Sequence, residues 1–331
     1  MNDDRRKQAE HWAAEQLGWR DYVSESVSSD ASFRRYFRLR AMDRSVIVMD
    51  APPELEPVSA FLDVAGRLGE LVNVPDILAA DVGHGFVLLQ DLGSRPYHRE
   101  LDADNADALF GDALTALLDI QRKADCTGLP DYDPSRLYAE LALFIDWFLE
   151  KHWQVEPSES ELDAWDQVCA LLVRWAIDQP QLFCHRDYMP RNLMLTEPNP
   201  GIIDFQDAVR GPISYDPICL FRDAFLSWPP GRVDAWLEGY RQQALAAGLP
   251  ITTSADLWRK TCDLMGVQRH LKVIGIFARI RYRDGKPAYL EDHPRFFGYL
   301  KEAMGRNPEL ALLDELLTAW RSRARPVNRD Y

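Results

Sequence analysis

The sequence predicts an α+β chain of two lobes: a small antiparallel sheet with a leading helix, then a mostly helical half. Three observations predict it. Short strand-like runs separated by polar or glycine turns fill residues 22–90, and apolar residues recur at helical spacing from about residue 102 onward. One segment, Cys184 to Val209, interrupts the helices with a loop, a short hairpin and a second loop. A chain of 331 residues is long enough for two lobes, each with its own core, and the boundary is drawn to give residues 1–92 and 93–331.

The elements follow in order. Residues 4–18 read as a short amphipathic helix. YVSESV (22–27) and FRRYFRLR (33–40) are strands flanking a polar SSDAS turn, and RSVIVMD (44–50) is a third strand ended by Pro52 and Pro53. Val58 to Val72 is helical; ILAADV, a Gly83-His84-Gly85 turn and FVLLQ form a hairpin closed by Asp91-Leu92-Gly93. Leu109, Phe110, Ala113, Leu117, Ile120 and Gln121 trace one face of a helix. Asp133-Pro134 is a cap followed by a first-turn proline, and Leu137, Leu141, Phe144 and Phe148 recur behind it. A helix spans 159–178, helices resume near Ile213, and ARPVNRDY is a frayed tail.

Composition narrows the function classes. The formal charge is −14, from 38 basic and 52 acidic residues. That sign opposes a broad nucleic-acid surface or docking on an anionic leaflet. MNDDRRKQAEHW lacks the apolar core of a secretory signal, and no run approaches the roughly 18 apolar residues of a membrane span. The five cysteines (126, 169, 184, 219, 262) include no C-x-x-C pair, so free thiols and a cytoplasmic location are expected. No obligate protein partner is evident.

His185-Arg186-Asp187, four residues, then Asn192 matches a phosphotransfer catalytic loop, H-R-D-x-x-x-x-N. Asp187 is positioned to accept a proton from a substrate hydroxyl, and Asn192 to offer an amide oxygen to a metal. Asp204, at the end of the apolar run Ile202-Ile203, is the second metal ligand. Mg²⁺ prefers such hard oxygens and takes the remainder from phosphates and water. The turn around Glu197-Pro198-Asn199-Pro200 returns Asp204 to the level of Asn192. His185 and Arg186 read as supports of the loop. Gln206 stands where glycine often follows in such sites.

HRDYMPRN, IDFQDA and GPISYDPICLFRDAF together resemble the aminoglycoside phosphotransferase and choline kinase superfamily, from about residue 20 to about residue 320. SSDASFRRYFRL, the lysine-free VIVMDAPP and LFRDAF are most similar to the bacterial anomeric kinases of N-acetylmuramate and N-acetylglucosamine used in cell-wall recycling. The resemblance implies a protein-kinase-like fold, ATP as co-substrate, Mg²⁺ and a small amino-sugar acceptor. Another small alcohol as acceptor, or a nucleotide-binding regulator without turnover, are the alternatives. The absence of an Ala-Pro-Glu motif after Asp204 speaks against a protein kinase.

The resemblance also locates further residues. Kinases of this kind often hold the ATP phosphates with a strand lysine, where this chain has Met49, which reads as a core residue. SSDAS corresponds in position to the phosphate-covering loop, so Ser29, Ser32 and Arg34 are nucleotide-binding candidates. Alternation sets Arg34, Tyr36 and Arg38 on one strand face and Phe33, Arg35 and Phe37 on the other. A solvated edge strand is the competing reading. Asp91 and Leu92 fall where backbone groups meet the adenine edge, and Asp216 where a carboxylate braces the catalytic loop. On the acceptor side, Arg269, His270, Lys272 and the 279–283 cluster are basic positions for which a solvated helix face is the plainer expectation. Trp147, Trp153 and Trp228 are candidate sugar platforms, with core packing the commoner role.

Overall fold

The computed structural model describes residues 3–28 and 33–325; Ser29, Ser32 and the tail from residue 326 lie outside the described residues. The first elements are α1 (Asp3–Leu17), β1 (Val23–Ser28), β2 (Arg35–Ala41), β3 (Arg44–Asp50), α2 (Ser59–Leu68), β4 (Ile77–Asp81) and β5 (Phe86–Gln90). After them run α3 (Tyr97–Glu100), α4 (Ala106–Lys123), α5 (Pro134–Leu143) with a π-helical continuation (Phe144–Trp153), and α6 (Glu159–Ile177). β6 (Gln181–Cys184), β7 (Leu193–Met194), β8 (Gly201–Ile202) and β9 (Val209–Pro212) come next. α7 (Tyr215–Phe221), α8 (Pro230–Ala246), α9 (Ala255–Asp284), α10 (His293–Arg306) and α11 (Ala311–Arg323) follow.

Two compact units result, each discontinuous in sequence: Met1–Asp125 with Pro190–Ala208, and Cys126–Met189 with Val209–Tyr331. The boundary expected between residues 92 and 93 falls inside the first unit.

The first unit is built on a five-stranded antiparallel sheet in the order β1-β2-β3-β5-β4. One face packs on α1. Ala9 and Ala13 of that helix are fully buried against Phe37, Leu39, Val46, Val48, Phe86 and Leu88. Alternation along each strand then sends Tyr36, Met49 and Val87, which are in register, to the opposite face. Met49 is fully buried there, so the position carries no charge. Asp50, at the end of β3, is buried on the α1 side and neutralised by Arg5 (2.7 Å) and Arg35 (3.0 Å).

The second unit is helical around α9, which buries residues on all sides, as a central helix does. α5 is capped by Asp133, whose carboxylate accepts from the Arg136 amide (2.8 Å), and α6 opens with a Ser158/Glu161 capping box. A Cβ at Gly275 of α9 would stand 2.4 Å from the Leu143 carbonyl carbon, so only glycine permits this helix crossing at the start of the π-helical segment. Arg269, His270 and Lys272 are buried rather than on a solvated helix face, which corrects the sequence expectation for them; Arg281 and Arg283 are exposed. They are buried because α9 has no solvent-facing side along this stretch, and each meets a polar partner. Trp153 is a fully buried core residue. Among the described residues no helix is long and apolar enough to cross a membrane. The five cysteines are free thiols, four of them buried.

His152 and His293 pack beside each other, ring centroids 5.9 Å apart, among Phe148, Trp153 and Phe297. Burial first, and for His152 the neighbouring His293 next, pushes both imidazoles down to about 4 from an ordinary 6.5. The unfolded chain therefore binds more protons than the folded one between these limits, and stability falls as pH falls through that window. Thermal unfolding by circular dichroism is expected to show Tm declining from pH 6.5 toward pH 4, with His293→Gln reducing the decline. An equally steep decline in the variant would falsify this assignment.

Candidate active site

The second unit presents the H-R-D segment. β6 pairs with β9, Cys184 opposite Val209, and the chain leaves β6 directly into His185. The fully buried Asp216 carboxylate of α7 accepts the His185 amide (2.7 Å) and the Arg186 amide (2.9 Å). Arg186 adopts a left-handed backbone (φ +73°), a strained conformation held by its side chain. Its guanidinium donates to Glu140 (2.7 Å) and lies over the Tyr132 ring (5.3 Å). Glu140 also meets Lys272 (3.0 Å), which donates to the Tyr215 hydroxyl (3.0 Å). Burial works against the Glu140 carboxylate, but Lys272 and Arg186 outweigh it and hold its pKa below the ordinary range. Burial raises Asp216, with His185 and the two amides opposing. Asp187 follows this braced pair, half-buried, its amide 3.3 Å from His185 Nδ1.

The first unit carries the other named residues. β7 and β8 form the expected hairpin, Leu193 opposite Ile202. It brings Asn192 and Asp204 together, the Asn192 amide donating to Asp204 Oδ2 at 3.3 Å. Asp204 has a left-handed backbone (φ +63°). Gln206 occupies the place where glycine was anticipated: its amide donates to Asp204 Oδ1 (2.9 Å) and to Asp207 Oδ2 (3.2 Å), fixing two carboxylates relative to each other. The Phe205 ring stacks on Phe61 of α2, centroids 4.9 Å apart, which ties this loop to the sheet-bearing part of the unit.

These oxygens suit Mg²⁺. Among the described residues no group of three or more His, Cys, Asp or Glu side chains forms a metal cluster. A carboxylate and an amide oxygen side by side are the kind of hard donors, one or two in number, that Mg²⁺ takes when phosphates and water complete its shell.

Three of the four arginines of β2 and its approach, Arg34, Arg35 and Arg38, have separate principal partners. Arg35 is committed to Asp50 (3.0 Å). Arg38, buried, forks onto Asp91 (2.6 and 2.9 Å) and donates to the Gly93 carbonyl (2.7 Å). Arg34 pairs with Glu56 (3.0 Å) and lies 3.7 Å from Asp207. Glu56 also accepts the Phe33 amide (3.1 Å). The Tyr36 phenol is pushed up by burial first and then by the Asp204 carboxylate, so Arg34, Tyr36, Glu56, Asp204 and Asp207 share one electrostatic neighbourhood. Sequence reasoning missed Glu56, Tyr36 and the role of Gln206. Alternation pointed to the Tyr36 face, but nothing in the sequence marked Glu56.

Asp91 and Leu92 lie directly after β5. The Asp91 side chain is occupied by Arg38 and by the Gly93 amide (2.9 Å), whereas the Leu92 peptide N–H and C=O have no hydrogen-bond partner among the described residues. The Leu92 side chain fits over Gly201, where an added Cβ would come within 2.9 Å of it.

Comparisons with known proteins agree with this layout. The model of the phosphotransferase enzyme family (APH) matches residues 24–257. The chain is 57% identical over 295 residues to an N-acetylmuramate/N-acetylglucosamine kinase of Pseudomonas aeruginosa, covering 88% of this chain and 87% of that protein. It is 48% identical to the protein of the same name from Pseudomonas putida, over 98% of this chain and 99% of that one. Among solved structures, an ADP-bound aminoglycoside phosphotransferase APH(2'')-Ib aligns with TM-score 0.60 at 16% identity, over 92% of this chain and 99% of its own. Choline kinase LicA from Streptococcus pneumoniae aligns with TM-score 0.62 at 14% identity, over 91% and 100%. At those identities the structural likeness establishes the fold.

Removing the Asp216 carboxylate leaves two buried amides without acceptors. Asp216→Ala is expected to lower unfolding stability by about 2–4 kcal/mol, and Asp216→Asn by less, because one oxygen still accepts. Urea denaturation measures both; an Ala variant as stable as the wild type would remove the brace from the account.

Proposed function

The chain belongs to the phosphotransferase enzyme family, and from that premise we propose that it is an ATP-dependent kinase of the anomeric hydroxyl of N-acetylmuramate and N-acetylglucosamine. The observation that carries this reading is the high identity, over nearly the whole chain, to kinases named for those two sugars. The site chemistry supports it: a half-buried carboxylate on a braced loop and, on the other unit, a paired amide and carboxylate with hard oxygens. Its place would be cell-wall recycling in the cytoplasm, where the free thiols remain reduced.

In this reading Asp187 accepts the proton of the sugar 1-hydroxyl as that oxygen bonds to the γ-phosphorus and ADP leaves. Asn192 and Asp204 hold Mg²⁺, which supplies charge neutralisation at the phosphates. Gln206 keeps the Asp204 carboxylate oriented. Leu92 offers its free peptide groups to the adenine edge, and Asp91 holds that segment in place through Arg38. Arg34 takes the part of the missing strand lysine, with Glu56 fixing its side chain; Ser29 and Ser32 are assigned to the phosphate-covering turn. Most of the rate enhancement comes from positioning and neutralisation, because phosphoryl transfer asks little covalent help of the protein.

³¹P NMR of the protein with Mg-ATP and either sugar is expected to show a sugar 1-phosphate. Asp187→Asn should retain nucleotide binding while kcat falls by roughly 10²–10⁴-fold. Phosphate on another hydroxyl, or only on a different alcohol from an acceptor panel, would overturn the acceptor assignment. Full turnover in Asp187→Asn would remove Asp187 as base. For Arg34→Ala, the KM for ATP should rise about tenfold or more with the sugar KM unaltered, and Arg34→Lys should recover most of it. An ATP KM indifferent to Arg34 would return the lysine's role to an unassigned group.

A further inference from the structure

The buried face of α5 is Leu137, Glu140 and Leu141, so a glutamate stands where helical spacing calls for one more apolar residue. A carboxylate in a core costs desolvation, and an apolar side chain of similar size is often no less stable in such a place. This one takes four donors. The Tyr132 hydroxyl and the Gln268 amide (3.3 Å) donate to Oε2, while Lys272 (3.0 Å) and Arg186 (2.7 Å) donate to Oε1. They fill the acceptor capacity of a carboxylate. They also fix Glu140 from three directions: the segment before α5, α9, and the His185-Arg186-Asp187 loop.

Arg186 is the partner with consequences for chemistry, because Asp187 follows it. Its backbone is left-handed (φ +73°), a conformation that glycine adopts freely and arginine at a cost. The main chain does not call for arginine here. Its N–H donates to Asp216 (2.9 Å) and its C=O accepts from the Cys219 thiol (3.2 Å), and glycine would offer both groups equally. Only the guanidinium, on Glu140 and over the Tyr132 ring (5.3 Å), needs the side chain. Amide, carbonyl and guanidinium are thus each gripped by a different residue. The peptide that leads into Asp187 is held both in place and in rotation.

We infer that Glu140 is a positioning residue for phosphoryl transfer: through Arg186 it fixes the peptide before Asp187, and with it the direction in which the Asp187 carboxylate meets the substrate hydroxyl. The inference rests on the reading of Asp187 as the base. It accounts for a costly carboxylate and a left-handed arginine occurring together. Each is unfavourable locally, and neither is needed for the turn that Asp216 braces. A misplacement of about 1 Å can cost about a hundredfold in rate, so the clamp has enough to protect.

Arg186→Gly tests it, because glycine suits the left-handed backbone and keeps both main-chain grips while removing the clamp. Lys272 still pairs with Glu140 in that variant. The kcat per folded molecule is expected to fall roughly 10–100-fold, with the KM values for ATP and acceptor within about twofold of wild type. The Arg186 side chain is 17% exposed, so its vacated place opens to water. Guanidinium ion, below denaturing concentrations, should therefore restore part of the lost kcat without stimulating the wild type. Glu140→Gln (Glu140→Asp where the glutamine variant does not fold) should lower kcat by a similar factor alone, and little further in the Arg186→Gly background. Additive losses overturn the inference. So do a wild-type kcat in Arg186→Gly, a loss confined to KM, or a loss that guanidinium leaves untouched. If the glycine variant does not fold, Arg186→Met takes its place, since methionine keeps a long stem over Tyr132, and a wild-type kcat there overturns the inference equally. Full turnover in Asp187→Asn would mean that the reading of the base has failed. If that variant is inactive and Arg186→Gly is not, the base stands and only the clamp falls.

Discussion

The His185-Arg186-Asp187 loop hangs from one buried carboxylate. Asp216 is wholly removed from water, and burial alone would disfavour its charge. It persists because it satisfies two successive amides of a turn that passes through a left-handed arginine. The Arg186 side chain then extends to Glu140, and Glu140 to Lys272, so a polar chain runs from the loop into α9. Each member solves the desolvation of the next. The network buys its stability only when complete, which is why single deletions within it are expected to be disproportionate.

The first unit solves a different problem, that of holding several like charges in a small space. Asp204 and Asp207 are kept apart and aligned by the Gln206 amide, and Arg34 approaches Asp207 from β2. Arg35 and Arg38, which look equivalent to Arg34 in sequence, are consumed by Asp50 and Asp91. Strand alternation explains the division, since Arg35 faces α1 while Arg38 faces away from it. Met49 sits uncharged on a buried face, and the approach to β2 carries Arg34, held by Glu56.

Membership in the phosphotransferase enzyme family goes with the fold shared with the aminoglycoside phosphotransferase and choline kinase structures. Within that fold, α9 carries an unusual load of buried polar residues. Arg269 and Lys272 lie where α9 has no solvent-facing side, and the cost of burying them is met by Cys219, Tyr215 and Glu140. Polar groups in such a core are retained where they hold a neighbouring site in shape.

Much of this protein was legible in its residues. Alternation and turn chemistry placed the strands of the antiparallel sheet, with β3 and β5 at the residues anticipated, because those signals are local. The Pro/Asn turn and the apolar run before Asp204 announced a hairpin that returns Asp204 to Asn192, for the same reason. What the sequence left open were pairings between distant residues: β6 with β9, Arg34 with Glu56, Arg38 with Asp91, and the burial of Arg269. A charged residue at helical spacing reads alike whether it faces water or a buried carboxylate. Only the packing around it decides which, because burial and counter-charge are set by neighbours that the chain brings together across long separations.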